Sequence, residues 1–287
     1  MLELQQKASA RRKSGLFVVE GRRELAHCLA AGYEVASVFM AQDSELLIAG
    51  AGGVPGAGLT LKLNDKEFGV AECAWFEVAP NVYERIAYRD STEGIVAVVK
   101  AKELTLEELA FAAGNPPRGV AGSIAHAGSE AVPGAVAPPL FIVLESVEKP
   151  GNLGAVLRSA DAAAATAVVV CDPLTDLYNP NLIRASVGAR FTVPMVACTS
   201  AECIAFLKAH GVRILTAQLQ DSHVYYHTDM TGPTAIVMGT ESTGLTEQWR
   251  RAADAHLRIP MLGQLDSLNV SVSAAILLFE AVRQRQK

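Results

Sequence analysis

From Phe141 to the end of the chain, apolar runs of strand length alternate with segments of helix length, and no other feature limits the fold as tightly. FIVLESV, AVVVC, VRILTA, TAIVMG and HLRIPM read as strands. Asn152 to Ala164, AECIAFLKAHG, TEQWRRAAD and Val272 to Arg285 read as helices, the second closed by Gly211. Apolar strands separated by helices specify a parallel sheet covered on both faces. Ligands of such sheets sit at the carboxyl ends of strands. The polar, glycine-rich segments fall there, after FIVLESV, TAIVMG and LRIPM.

The first hundred residues have the texture of a smaller α/β unit. FVVEGRRELAHCLAAGYEVASVFMA gives a strand, a helix stopped by Gly32 and a second strand, and the β-branched run GIVAVVK gives a buried strand closing the unit. From Ala113 to Pro139 the chain is rich in Gly, Pro, Ala and Ser, with almost no large apolar side chain to offset ordering entropy. The expected organisation is therefore residues 1–101, a linker or insertion over 102–139, and a second domain over 140–287.

Several functions are excluded or weakened by what is missing. Half of the 287 residues are hydrophobic, yet no apolar run reaches the roughly 18–20 residues that span a bilayer. The basic N-terminus lacks a signal peptide's apolar segment, so no membrane association and a cytoplasmic location are expected. Five scattered cysteines without a CxxC pair fit reduced thiols. GTESTGLT has phosphate-loop glycines, but Leu245 stands where the lysine must be. No G-x-G-x-x-G follows a strand. His223 and His227 are four apart without a glutamate base or third ligand, so no metal is expected. The net charge of −5 does not favour nucleic acid, although residues 1–24 hold Lys7, Arg11, Arg12, Lys13, Arg22 and Arg23 against three glutamates.

Three segments carry the chemistry. In EKPGNLGAVLRSAD, Asn152 opens a helix and Arg158 follows six residues on, about 1.7 turns away, so the two do not stack on one stripe. Backbone N–H groups at that helix mouth attract anions, while an Asn cap plus a surface arginine is the plainer account. In IVMGTESTGLTEQW, Gly239 and Gly244 allow close backbone approach to a ligand and Glu241 adds a carboxylate. In LRIPMLGQLDSLNVSVSAAILLFEAV, small polar residues (Ser267, Asn269, Ser271 and Ser273) gather at the start of an apolar helix suited to core or dimer interface.

Read in order, N-x-G-x-x-x-R (Asn152, Gly154, Arg158), G-x-E-x-x-G-L (Gly239 to Leu245) and IPM followed by S-L-N-V-S-V (Ile259 to Met261, Ser267 to Val272) resemble the three motifs of the SpoU (TrmH) family of RNA ribose 2′-O-methyltransferases, in the SPOUT superfamily. The resemblance covers residues 141 to 287, including LYNPNLIRASVGARF between the first two motifs. FVVEG and the basic residues before it resemble the family's RNA substrate-binding domain, which is similar in fold to a ribosomal protein.

The resemblance implies a parallel-sheet domain with a deep trefoil knot, S-adenosylmethionine as cofactor, and a homodimer acting on structured RNA, with ribosomal RNA preferred over transfer RNA. It implies cofactor contacts at Gly239, Ile259, Met261 and Leu268, with Leu215 and Thr216 at an adjoining strand end. Arg158 becomes the catalytic arginine, as general base or as clamp on a phosphate and the developing alkoxide, because a guanidinium normally keeps its proton. Asn152, Ser267 and Asn269 would orient it and the cofactor, and Glu241 would hold the loop or the arginine. Arg11, Arg12, Lys13, Arg22 and Arg23 are the expected RNA contacts.

Overall fold

The computed structural model describes residues 1–42, 48–49, 59–70, 73–87, 93–109, 137–240 and 243–286. The chain divides into two compact units, Met1–Lys102 with Asp176–Thr192, and Glu103–Thr175 with Val193–Lys287. Residues 176–192, read above as part of the C-terminal domain, thus pack with the first unit, and 103–109 pack with the second. Positions 110–136, most of the expected linker, lie outside the described residues.

The first unit starts with two short helices, α1 (Leu2–Gln6) and α2 (Ala8–Ser14), the second ended by Gly15 at φ +65. There follow β1 (Leu16–Glu20), α3 (Arg22–Ala30), β2 (Val35–Ala41), β3 (Ile48–Ala49), β4 (Leu59–Leu63), β5 (Lys66–Val70), β6 (Ala74–Val78), α4 (Pro80–Ile86) and β7 (Ile95–Lys100). The main sheet has the order β1-β7-β2-β6, so the GIVAVVK strand lies inside the sheet and not at its edge. Its pleat explains the all-apolar sequence. Ile95, Ala97 and Val99 enter one core with Phe17, Leu25, Leu61 and Phe191, while Val96 and Val98 enter a second with Leu4, Val18 and Tyr83.

The second unit opens with β8 (Leu140–Glu145), α5 (Pro150–Ala162) and β9 (Ala167–Cys171). The chain then contributes α6 (Pro180–Ser186) and α7 (Ala189–Thr192) to the first unit. It resumes with β10 (Met195–Cys198), α8 (Ser200–Ala209), β11 (Arg213–Ala217), β12 (His223–Val224), β13 (Thr234–Met238), α9 (Glu247–Ala252), β14 (Ala255–Arg258) and α10 (Val270–Arg285). All pairings in its seven-stranded sheet are parallel, in the order β10-β9-β8-β13-β11-β14-β12. One face carries α8 and α9, whose Cys203, Phe206, Leu207 and Trp249 bury against Phe141 and Val143. The other carries α5 and α10, packed on each other and on β8, β9 and β13. Burying each such side chain stabilises by roughly 1.5–3 kcal/mol. The parallel, doubly covered sheet expected from the sequence is present.

Candidate functional site

Strand order reverses at β8, which has β9 on one side and β13 on the other. Such a reversal leaves a crevice at the carboxyl ends of the two strands. The first polar segment leaves β8 and the second leaves β13, so both emerge at this point. The third leaves β14, which lies beyond β11 from β13.

In the first segment, α5 begins at Pro150 with Lys149 at its N-cap and no side-chain cap. Asn152 is therefore inside the first turn and is not the cap that its sequence position suggests. Its Oδ1 accepts instead a 3.2 Å hydrogen bond from Nδ2 of Asn269. Asn269 is itself the N-cap of α10, where its Oδ1 accepts from Ser271 N at 2.9 Å and Ser271 Oγ at 2.6 Å. One asparagine thus caps a helix and ties the third segment to the first. Arg158 lies six residues along α5 from Asn152, about 9 Å of axial rise. It is exposed, and among the described residues no hydrogen-bond or ion-pair partner holds it.

The second segment folds onto itself. A Cβ on Gly239 would come 2.3 Å from Gly244 C and O and 2.5 Å from Leu245 N. The close approach that this glycine permits is to its own loop. Thr240 and Gly244 form an antiparallel bridge, with Gly244 N donating to Thr240 O at 3.0 Å and Gly244 at φ +67. Thr243 N donates to Thr240 Oγ1 at 3.1 Å. Glu241 lies outside the described residues.

Beneath that loop is a buried polar cluster that sequence reading missed. Glu145, the last residue of β8 and only 3% exposed, accepts from Thr246 N at 2.8 Å and Thr246 Oγ1 at 2.6 Å. Ser200 Oγ lies 3.4 Å from Glu145 Oε1. Ser200 Oγ donates to Asp172 Oδ2 at 2.6 Å and accepts from Trp249 Nε1 at 2.9 Å. A carboxylate at the N-termini of α8 and α9 meets donors and the positive ends of helix dipoles. Those bonds anchor the residue immediately after the Gly239–Leu245 loop. The only local signal was an acidic residue ending an otherwise apolar strand.

The third segment leaves regular structure after Arg258, so HLRIPM is a strand only as far as that residue. Ile259 and Met261 are half-buried. Leu262, Leu265 and Leu268 are 97%, 76% and 37% exposed. Ser267 is exposed, with its Oγ 3.4 Å from Asp266 Oδ1. Leu215 and Thr216 are fully buried in β11, and Thr216 Oγ1 pairs with His256 Nδ1 at 2.6 Å, so their side chains face the protein and offer no surface to a ligand. Two residues on, the buried amide oxygen of Gln218 has no hydrogen-bond partner among the described residues.

The basic cluster of the first unit is also revised. Arg11 is 5% exposed, its Nε 2.5 Å from Asp176 Oδ2 and its Nη1 donating to the carbonyls of Leu4 and Gln5. A buried guanidinium satisfied in this way is a structural tie and not an RNA contact. Arg12, Lys13 and Arg23 are exposed, and half-buried Arg22 donates through Nε to Glu93 O at 3.0 Å. Among the described residues no helix is long and apolar enough to cross a membrane.

An open parallel sheet with two polar segments emerging at its reversal point, and a third tied to the first by the Asn269–Asn152 hydrogen bond, defines a doubly covered α/β domain. Residues 139–279 match the SpoU rRNA Methylase family, and residues 1–97 match the MRM3-like substrate binding domain. The 23S rRNA (guanosine-2'-O-)-methyltransferase RlmB of Ralstonia nicotianae is 36% identical over 219 residues, 75% of this chain and 80% of that protein. The protein of the same name in Pseudomonas putida is 41% identical over 150 residues, 52% of this chain and 60% of that one. The chain spans only about 60% of the length of several such relatives. A crystal structure described as an RNA 2'-O ribose methyltransferase superposes with a TM-score of 0.71 at 32% identity, covering 99% of this chain and 94% of the other. The chain belongs to the SpoU rRNA methylase family.

Proposed function

We propose that this chain transfers a methyl group from S-adenosylmethionine to a ribose 2′-hydroxyl of ribosomal RNA. The observation that carries the reading is the Asn269–Asn152 hydrogen bond, which joins the third polar segment to the first across 117 positions, on the helix that presents an exposed Arg158. The relatives from Ralstonia nicotianae and Pseudomonas putida are named for a guanosine of 23S rRNA, so large-subunit RNA is the substrate proposed here. Residues 1–101 would grip it and residues 140–287 would carry the reaction, with the deep trefoil knot and homodimer of the family. Val272 and Phe279 of α10, each 47% exposed, suit that dimer. An rRNA substrate makes the cytoplasm the place of action.

The residues at the sheet mouth fit the cofactor. Gln218 supplies a buried acceptor in need of a donor, and the exposed leucines of 259–269 supply apolar surface for an adenosyl group and a thioether. Gly239, Ile259, Met261 and Leu268 are the proposed contacts. When bound, the cofactor supplies an electrophilic methyl on a sulfonium centre. The protein's part is positioning, which is worth up to about 7–11 kcal/mol for well-oriented pairs. Arg158 holds the adjacent phosphate and the developing alkoxide as a clamp through the planar fork of its guanidinium, while the hydroxyl proton leaves to that phosphate or to water. Asn152 and Asn269 fix the geometry between α5 and α10, while Ser267 and Glu241 complete the proposed set.

The test is methyl transfer from labelled S-adenosylmethionine to 23S rRNA and to transfer RNA, with the full chain and with Arg158→Lys. Label at a 23S ribose, lost in the variant while cofactor binding persists, is expected. Label on transfer RNA alone overturns the substrate, and undiminished methylation by the variant removes Arg158 from the mechanism.

A further inference from the structure

Cys171 ends β9, Cys198 ends β10 and Cys203 lies in the first turn of α8. The first two are register partners on neighbouring parallel strands. All three Sγ atoms lie within 4.8 Å of one another, and those of Cys171 and Cys198 are 4.0 Å apart. Nothing in the sequence spacing announces this, because two ligands come from adjacent strands 27 positions apart.

The spacing has a chemical meaning. Three thiolates around one ion, each about 2.3 Å from it in a plane, form a triangle with edges of about 4.0 Å. A disulfide would bring only two of these sulfurs together. Thiolate ligands select soft ions such as Cu(I) and Zn(II). No further His, Cys, Asp or Glu joins the group among the described residues, so the chain itself offers three-coordination. Cys171 and Cys203 are fully buried, whereas Cys198 is half-exposed and gives an ion a way in. The N-terminus of α8 adds a positive dipole end that stabilises thiolate beside it.

We propose that Cys171, Cys198 and Cys203 bind one thiophilic d10 metal ion in a three-thiolate site, separate from the methyl-transfer crevice. The ion would pin the ends of β9 and β10 to α8, whose Ser200 belongs to the Glu145 cluster. Its role is therefore structural, and it takes no part in the methyl-transfer reaction.

Cd(II) alone is the probe, titrated into the reduced full-length chain. The expected result is one equivalent bound, with sulfur-to-cadmium charge-transfer absorption and a raised melting temperature. Cys198→Ser, at the half-exposed position, should keep the circular dichroism of the parent and lose at least about 100-fold in Cd(II) affinity. Cys203→Ala should do the same, and Cys73→Ser in the first unit should bind as the parent does. Absence of the charge-transfer band in the parent overturns the proposal. So does a band that survives Cys198→Ser, or a Cys171–Cys198 disulfide that forms readily while the reduced chain takes up no metal.

Discussion

Gly239→Ala is the substitution whose effect the structure determines most directly. The added Cβ would lie 2.3 Å from the carbonyl carbon and oxygen of Gly244, and ordinary contact begins at 3.4 Å. The opposing backbone must therefore move by about 1.1 Å. It cannot yield as a flexible side chain would, because the same stretch holds the Gly244–Thr240 hydrogen bond and leads into Leu245, which is 4% exposed. Overpacking of this kind costs about 1–3 kcal/mol. Two strained or broken turn hydrogen bonds, from Gly244 N and Thr243 N, add about 0.5–1.5 kcal/mol each. A total near 3–4 kcal/mol corresponds to a fall of about 10 °C in melting temperature for a unit of this size. Gly244→Ala is the control. Among the described residues no atom beyond its chain neighbours lies within 4 Å of its Cβ, so the left-handed φ of +67 is the strain considered. That costs about 1–2 kcal/mol and a correspondingly smaller drop. Thermal unfolding of the three proteins, with calorimetric titration of S-adenosylmethionine, gives both readouts. Gly239→Ala should lose more cofactor affinity and more stability than Gly244→Ala. A Gly239→Ala protein that melts within about 2 °C of the parent would refute the steric argument.

Four other outcomes are expected. Glu145→Gln can keep its carbonyl oxygen on the Thr246 N–H only by turning its NH2 toward the Thr246 hydroxyl, and losing the bonds to a charged carboxylate should cost about 1–3 kcal/mol in urea unfolding, with reduced cofactor affinity, whereas an unchanged midpoint would show that the cluster does not anchor α9. The Glu202 carboxyl, held below the usual carboxylate range by the Thr199 backbone N–H and hydroxyl, stabilises the capping box of α8 only while it is ionised. Its contribution is complete above the unfolded carboxylate value of about 4.3 and fades as pH falls through the lower folded value. The melting difference between the parent and Glu202→Gln should therefore shrink on acidification from about pH 6 to about pH 3, and a difference that grows would contradict the assignment. In the first unit, neutralising Arg12, Lys13 and Arg23 together should weaken RNA binding and flatten its salt dependence by up to about 0.7–0.9 per lost phosphate contact, with melting unchanged. Arg11→Ala should instead lower the melting temperature, since its Asp176 partner would be left unpaired.

The parallel sheet was legible because strand-length apolar runs and helix-length segments differ in period, and each run here is short and clearly bounded. Local signatures at helix ends were equally readable. Gly32 and Gly211, read as helix stops, follow α3 and α8 at positive φ. Contacts set by pairing across the chain were not. Asn152 looked like a cap because caps are local, but its partner lies 117 positions away. Arg11 looked like surface charge because its neighbours Arg12 and Lys13 are exposed, and only Asp176, 165 positions on, marks it as buried. Leu215 and Thr216 sit in a strand that is correctly read, but exposure at a strand end depends on the neighbouring β13 and β14, which the one-dimensional pattern does not contain.

The two halves of the site mouth are built on opposite principles. On the α8 and α9 side, Glu145, Thr246, Ser200, Asp172 and Trp249 satisfy one another inside the protein, so the second segment is anchored before any ligand arrives. On the β14 side, Leu262 and Leu265 remain largely in water, and the path to Asn269 has no regular structure. Burial of apolar surface stabilises by about 25 cal/mol per Å², so whatever covers those leucines gains by ordering this segment. On the proposed reading, the anchored half sets where the methyl donor lies. On the same reading the open half would close over the donor or against a second subunit of the proposed dimer, and Asn269, capping α10 while bonded to Asn152, would transmit that closure to the helix bearing Arg158.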